Sequence, residues 1–75
     1  MEKLIEKLKE IREDIDFENE IGLIDGKLLA SFDILRIVNM IQEEFDVKIP
    51  VSQLKPENFN SAAALYALIQ RLEED

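Results

Sequence analysis

The sequence predicts an all-α protein, a small bundle of three main helices plus one short helix. Three observations support this fold class. Apolar residues recur at helical spacing in three separate stretches, no two alternating segments are placed to pair as a sheet, and the chain has 75 residues. A chain of this length buries only about 60% of its unfolded surface, which is enough for one small core. We therefore expect residues 1–75 to form a single domain.

The first helix is predicted from an apolar stripe near the N-terminus. Its residues recur every three or four positions: Leu4, Ile5, Leu8, Ile11 and Ile15. Charged residues fill the other faces, as on an amphipathic helix. The pattern fades over residues 14–16, where we expect the helix to end.

A long connection follows as far as Ala30. Gly22 and the pair Asp25-Gly26 are turn signals within it. Four apolar residues are expected to anchor this loop to the core: Phe17, Ile21, Leu23 and Ile24. A loop this long in so short a chain points to function.

Ser31 opens the clearest amphipathic helix, which is predicted over residues 32–41. The apolar face expected to meet the core comprises Ile34, Leu35, Ile37, Val38 and Ile41, with Phe45 near the helix end. Serine is a preferred N-cap residue, so position alone predicts that Ser31 caps this helix. The same place would also suit a phosphate group, because a helix start has unpaired amides and the positive end of the helix dipole.

The remaining segments complete the bundle. Residues 45–49 alternate apolar and polar side chains but have no partner strand, so we predict a short extended connection. Pro50 then starts a short helical turn that continues to Leu54, and Pro56 is expected to end it. Asn60 or Ser61 caps a last helix predicted over residues 62–72.

Composition excludes several classes of function. Nine basic and 17 acidic residues give a net charge of −8, which repels nucleic acid and anionic lipid, so neither is an expected partner. The same charge would attract partner proteins with basic patches, or would simply keep the protein soluble. With no apolar run long enough to cross a bilayer and a charged N-terminus, the chain is expected to be cytoplasmic.

The chain contains no Cys, no His and no Trp. It therefore lacks a thiol nucleophile, a general base that works near neutral pH and the commonest nitrogen ligand for metals. We expect a protein that is not an enzyme, whose chemistry would come from a covalently held cofactor.

The acidic residues of the long loop approach the spacing of a calcium-binding loop. They are Asp14, Asp16, Glu18, Glu20 and Asp25. Asn19 stands where the sharp turn of such a loop requires glycine, and Asp25 replaces its bidentate glutamate. No metal site is therefore predicted.

Four segments occur in an order and spacing that together form a specific pattern: residues 23–26, 28–33, 43–50 and 58–61. This pattern resembles the acyl carrier protein family, which includes peptidyl and D-alanyl carrier proteins, over nearly the whole chain. The resemblance implies that Ser31 receives 4'-phosphopantetheine from coenzyme A and that the terminal thiol holds an acyl or aminoacyl group as a thioester. The residues that would present this arm are Leu29, Ala30, Phe32 and Asp33.

The resemblance also implies partners and a docking surface. The partners would be a phosphopantetheinyl transferase, an acyl- or aminoacyl-loading ligase and downstream transferases, which visit a monomeric carrier. They would dock on the second helix, whose charged residues are Asp33, Arg36, Glu43, Glu44 and Asp46. A solvated face, with Arg36 paired to Asp33 at a three-residue spacing, is the simpler alternative.

One position departs from the family pattern. The family usually has aspartate before the motif serine and an apolar residue after it, whereas here Ala30 precedes Ser31 and Phe32 follows it. A magnesium-dependent transferase would be expected to sense the missing carboxylate, and Asp33 does not occupy the same position. Two functions therefore remain open, a modified carrier and an unmodified carrier-like interaction module. The Ser31-Phe32 pair is closer to D-alanyl and related aminoacyl carriers than to fatty acid carriers, but fatty acyl, aminoacyl and polyketide cargo all remain open.

Overall fold

In the computed structural model, which describes residues 1–74, the chain forms four α-helices and one 3₁₀ turn. The helices are α1 (Glu2–Ile11), α2 (Ser31–Phe45), α3 (Pro56–Phe59) and α4 (Ala62–Glu74), and the 3₁₀ turn Val51–Gln53 lies between α2 and α3. Helix α1 packs against α2 and α4, and α3 packs against α4. The predicted all-α bundle of three main helices and one short helix is confirmed.

Helix α1 ends earlier than the apolar pattern predicts. Its buried residues are Leu4, Ile5 and Leu8, and the helix stops at Ile11 because Arg12 takes an extended conformation, with φ −140° and ψ 93°. Ile15 is buried in the core as well, but it enters from the loop. The expectation that Ile15 continues the helical stripe is therefore wrong.

The loop that joins α1 to α2 is anchored by its apolar side chains. Phe17 and Leu23 are fully buried, and Ile24 packs half-buried against the core. Ile21, however, is 80% exposed, so the expectation that it anchors the loop is wrong. The backbone turns at this point, because the Gly22 amide donates to the Glu20 carboxylate over 3.0 Å, and this turn leaves Ile21 on the outside.

A tight turn between two glycines follows. The amide of Gly26 donates to the carbonyl oxygen of Gly22, and a Cβ atom on Gly26 would lie 2.7 Å from that oxygen. Such a separation is too short for a carbon and an oxygen that are not bonded. Glycine is required at position 26 for this close approach.

Asn60 fastens this part of the loop to the end of the bundle. Its Oδ1 accepts hydrogen bonds from the amides of Ile24 and Asp25, at 2.9 and 3.0 Å. Its Nδ2 donates to the Asp25 carboxylate over 3.1 Å, and its backbone carbonyl accepts from the Leu23 amide over 2.9 Å. One side chain therefore holds two consecutive loop amides that would otherwise have no partner.

Replacing Asn60 with alanine is expected to lower the free energy of unfolding by about 1–3 kcal/mol, because the partly buried amide of Ile24 and the exposed amide of Asp25 both lose their acceptor. Urea denaturation measures this loss. Hydrogen exchange should accelerate at the amides of Ile24 and Asp25, while the Leu23 amide, held by a backbone carbonyl, stays protected. Asn60→Asp keeps the acceptor but sets a second carboxylate beside that of Asp25, so it should restore only part of the stability lost in Asn60→Ala. Unchanged exchange in Asn60→Ala would contradict the role of Asn60.

Helix α2 buries most of the face that the sequence predicts. Ile37 and Ile41 are fully buried, and Ile34 and Val38 pack half-buried against the core. Leu35 was expected on the same face but is 60% exposed. It precedes Ile37 by two positions, which at about 100° per residue places it on the opposite side of the helix.

The segment after α2 follows the predicted extended connection. Val47 and Ile49 are buried, and the 3₁₀ turn follows Pro50 as expected. Pro56 was expected to end the short helical turn; instead it is the first residue of α3. Proline suits that position because its fixed φ is helical and a first-turn amide is not needed there.

Ser61 supplies the cap of α4. Its hydroxyl oxygen accepts a hydrogen bond from the Ala64 amide over 3.0 Å. Of the two predicted caps, Ser61 is therefore correct, and Asn60 instead holds the loop. None of the helices in the described part of the chain combines the length and the apolar composition that a bilayer crossing requires.

Candidate functional site

Ser31 is the first residue of α2 and is exposed to solvent. The N-cap is Ala30, in an extended conformation with φ −89° and ψ 167°, so the expectation that Ser31 caps the helix is wrong. Alanine has no side-chain oxygen, so it cannot accept a hydrogen bond from the first-turn amides. The first intrahelical bond runs from the Ile34 amide to the Ala30 carbonyl, over 3.1 Å. The amides before Ile34 have no intrahelical acceptor, and their positive ends surround the Ser31 position.

The Asp33 carboxylate folds back over this first turn. Its Oδ2 accepts a hydrogen bond from the Ala30 amide over 3.0 Å, which is the contact that an acidic third helical residue makes in a capping box. The residue is only 7% exposed. Asp33 therefore does not lie on the exposed face where docking residues were expected.

Arg12 binds the same carboxylate from the end of α1. Its Nη1 donates to Asp33 Oδ2 over 2.8 Å and to the Leu28 carbonyl over 3.2 Å. Its Nε and Nη2 bind both oxygens of Asp14, at 2.9 and 2.8 Å. We call these four residues, Arg12 with Asp14, Leu28 and Asp33, the Arg12 junction.

The charges of the Arg12 junction stabilise one another. Hydrogen bonds with Asp14 and then Asp33 raise the pKa of Arg12 above its ordinary value, and the Arg12 hydrogen bonds lower the pKa of Asp14. The sequence did not indicate Arg12 as a partner of Asp33; a pairing of Asp33 with Arg36 was one of two alternatives. The one available signal was the position of Arg12 at the end of an amphipathic helix, since Asp33 is remote in sequence and only folding brings the two together.

The side chains that flank Ser31 divide between the core and the surface. Leu29 is buried, whereas Phe32 is 69% exposed. Phe32 and Leu35 are three residues apart and therefore neighbours on the outer face of α2, with Arg36 exposed beside them. The surface beside Ser31 is thus apolar and basic.

The other acidic residues expected to dock partners lie at the far end of α2, and Asp46 comes immediately after the helix. Glu43 and Asp46 are exposed. Glu44 instead faces α1, where it lies 3.6 Å from the Nζ of Lys7 and 3.9 Å from that of Lys3. Of the residues predicted to dock partners, Arg36, Glu43 and Asp46 are therefore exposed. Glu44 is paired with lysines of α1, and Asp33 is buried.

A small cavity lies between the loop, α2 and α3. Its volume is about 90 Å³, and it is lined by Ile24, Ile34, Leu54, Lys55, Pro56 and Phe59. Since about 10–15 Å³ of such space is enough to hold one water molecule, this cavity has room for a small group of several heavy atoms. Ile34 lines it one helical turn beyond Ser31.

The acidic residues of the long loop do not converge. Asp16 accepts from the Asn19 side chain over 2.9 Å, and Glu18 pairs with Lys9 over 3.0 Å. Within residues 1–74, no three acidic, His or Cys side chains are grouped so that they could hold a metal ion.

Ser31 has no built-in means of activation. The chain contains no histidine, and the carboxylate nearest in sequence, that of Asp33, is committed to the Ala30 amide and to Arg12. An unactivated serine hydroxyl is a weak nucleophile. Within residues 1–74, the structure shows no side-chain base hydrogen-bonded to the Ser31 hydroxyl.

Comparison with known proteins gives one informative similarity. The chain is 25% identical over 63 residues to a D-alanyl carrier protein of Lactobacillus acidophilus, an alignment that covers 84% of this chain and 80% of that protein. No protein-family model matches the chain. The similarity spans most of both chains and supports a carrier-like protein.

Proposed function

We propose that this protein is a phosphopantetheine-dependent carrier that tethers an acyl or aminoacyl group and passes it between partner enzymes. Residues 1–75 would act as one cytoplasmic, monomeric carrier domain. The observation that supports the proposal best is the exposed Ser31 hydroxyl at the start of α2, beside amides that have no intrahelical acceptor.

The residues around Ser31 fit a covalently attached phosphodiester. Ser31 Oγ would form the ester bond, and the first-turn amides with the helix dipole would partly compensate the negative charge. The thiol of the attached group would supply the chemistry that the chain lacks, since the sequence has no cysteine. The exposed position leaves Ser31 accessible to a transferase that brings its own base.

The small cavity favours a small cargo. A volume of about 90 Å³ suits an aminoacyl or short acyl group better than a long acyl chain. The similar Lactobacillus protein is named as a carrier of D-alanyl groups. We therefore propose a small aminoacyl group, such as D-alanine, as the first cargo to test.

The outer face of α2 would receive the partners: a phosphopantetheinyl transferase, a loading ligase and downstream transferases. Phe32 and Leu35 would offer apolar contact beside Ser31, and Arg36 would favour an acidic group opposite it. Glu43, near the end of the helix, and Asp46, just after it, would favour basic groups on the same partner.

The direct test is modification of the purified protein with coenzyme A, Mg²⁺ and a broad-specificity phosphopantetheinyl transferase. Intact mass should increase by one phosphopantetheine, while an established carrier protein is modified in parallel as the positive control. No increase under conditions that modify the control would favour the alternative function.

That alternative is an unmodified carrier-like module that acts through protein interaction alone. The observation that favours it is Ala30, which stands where carriers usually have aspartate. The exposed Phe32 and Leu35 would serve such a module equally well.

Two substitutions at Ala30 separate helix capping from charge. Serine and aspartate are both good N-caps, so Ala30→Ser and Ala30→Asp should each raise the free energy of unfolding by about 0.5–2 kcal/mol. Only Ala30→Asp adds a carboxylate beside Ser31. We expect the modification rate of Ala30→Asp to be about tenfold higher than that of Ala30→Ser, because a tenfold change corresponds to the gain of one charge-assisted contact with the transferase. Equal rates in the two variants would show that the missing charge does not limit modification.

A further inference from the structure

The N-terminal turn of α2 is held by side chains other than its N-cap. Ala30 offers no cap, and the Ala30 amide is instead bound by Asp33 Oδ2 over 3.0 Å. The same oxygen is bound by Arg12 Nη1 over 2.8 Å, so one atom joins the N-cap, the first turn and the end of α1.

Arg12 also holds the chain on the other side of Ser31. Its Nη1 donates to the Leu28 carbonyl over 3.2 Å, three residues before Ser31, while Asp33 lies two residues after it. The guanidinium is itself held by the bidentate Asp14 pair, at 2.9 and 2.8 Å. A planar guanidinium with both edges bound has little freedom to rotate.

We infer that Arg12 and Asp33 are positioning residues for Ser31, fixing the turn that presents its hydroxyl to a modifying enzyme. This inference rests on the proposed function. Arg12 binds the chain before and after Ser31, and Asp33 fixes the N-cap residue Ala30 by accepting a hydrogen bond from its amide. Neither side chain touches the transferred group; each acts through the backbone on either side of Ser31.

The junction provides its own matched control. Asp14 and Asp33 both bind the Arg12 guanidinium, but only Asp33 also binds the Ala30 amide. Asp33→Ala should therefore loosen the Ser31 turn directly, whereas Asp14→Ala keeps the bond between Asp33 and the Ala30 amide and should loosen the turn less. Asp33→Asn keeps an oxygen for the Ala30 amide and should restore part of the loss.

A second control tests whether the loss of any ion pair between α1 and α2 affects Ser31. Lys7 also links α1 to α2, since its Nζ lies 3.6 Å from the Glu44 carboxylate, near the other end of α2 from Ser31. Lys7→Gln and Arg12→Gln each remove one α1–α2 ion pair. Only Arg12→Gln is expected to affect Ser31.

The first measurement is amide hydrogen exchange, which needs no partner enzyme. The Ala30 amide should exchange about tenfold faster in Asp33→Ala, because the variant removes one charge-assisted hydrogen bond to that amide. The increase should be smaller in Asp14→Ala, and exchange should be unchanged in Lys7→Gln. Unchanged exchange in Asp33→Ala would overturn the inference.

The second measurement is steady-state modification by the same transferase, at a temperature where every variant is folded. We expect kcat to fall about tenfold in Arg12→Gln and Asp33→Ala, since misplacing a reacting atom by about 1 Å can reduce a rate up to a hundredfold. KM should change little, because the exposed face formed by Phe32, Leu35 and Arg36 is intact. A merely structural role would not separate kcat from KM in this way.

The outcomes are distinguishable. If the parent protein and the Arg12 and Asp33 variants are modified with equal kcat, the inference is overturned and the proposed function stands. If the parent is not modified while a control carrier is, the proposed function fails and the positioning role fails with it. A reduced kcat with unchanged KM in Arg12→Gln and Asp33→Ala, together with a partly restored kcat in Asp33→Asn, would support both the proposed function and the positioning role.

Discussion

Replacing Ser31 with alanine is expected to abolish phosphopantetheine attachment completely. The sequence contains only three serines and no threonine, so few hydroxyl groups compete for modification. Ser61 uses its hydroxyl oxygen to cap α4, and Ser52 lies in the 3₁₀ turn, away from any long helix. Only Ser31 combines an exposed hydroxyl with the start of a long helix.

The fold should tolerate this change. Ser31 is exposed, and alanine is the better helix former, so the free energy of unfolding should change by no more than about 0.5 kcal/mol. Intact mass after treatment with the transferase reports the result, and circular dichroism confirms that the variant is folded. Ser52→Ala is the matched control and should be modified like the parent. Modification of Ser31→Ala would show that another residue is the acceptor.

Replacing Phe17 with alanine is expected to lower the free energy of unfolding more than the substitutions at Asn60, Ala30 or Ser31. Phe17 is 1% exposed and belongs to the central core, although it enters from the loop rather than from a helix. Removing a buried phenylalanine side chain costs about 3–5 kcal/mol, from lost burial and from the cavity left behind. Proteins have a stability of about 0.05–0.15 kcal/mol per residue, or about 4–11 kcal/mol for 75 residues. The substitution should therefore leave the protein marginally folded.

Urea denaturation followed by circular dichroism measures the effect. Ile21→Ala is the matched control from the same loop, because Ile21 is 80% exposed and its loss should cost no more than about 0.5 kcal/mol. Phe17→Leu keeps much of the buried apolar area and provides a folded variant with a smaller, measurable loss. A urea midpoint for Phe17→Ala equal to that of Ile21→Ala would contradict the assignment of Phe17 to the core.

The elements that periodicity identifies well are those whose stability depends on a repeated apolar face. For α2 and α4, the pattern predicts the place of each helix, although both extend beyond the predicted ends. The errors fall on single residues, as with Leu35 within the α2 pattern and Ile15 beyond the end of α1. An apolar side chain does not by itself reveal which side of the backbone faces the core. That depends on where the neighbouring helices pack.

In the candidate site too, local features could be predicted from the sequence, whereas contacts between distant residues could not. Ser31 and the apolar residues beside it were found in the sequence, because the start of a helix and a family pattern are both local features. The role of Asp33 was not found, since its two partners come from different parts of the chain. Arg12 is 21 residues away, and its bond to Asp33 forms only when the end of α1 meets the start of α2.

The sequence by itself determined the helical class, the place of each main helix and the serine at the start of α2. These follow from hydrophobic periodicity, turn residues and short motifs, all of which act over a few positions. Only the tertiary structure decided that Ala30 is the N-cap, that Asp33 is buried against Arg12 and that Phe32 and Leu35 face solvent. The physical reason is that burial and ion pairing depend on how the helices pack, and packing joins residues that lie far apart in the chain.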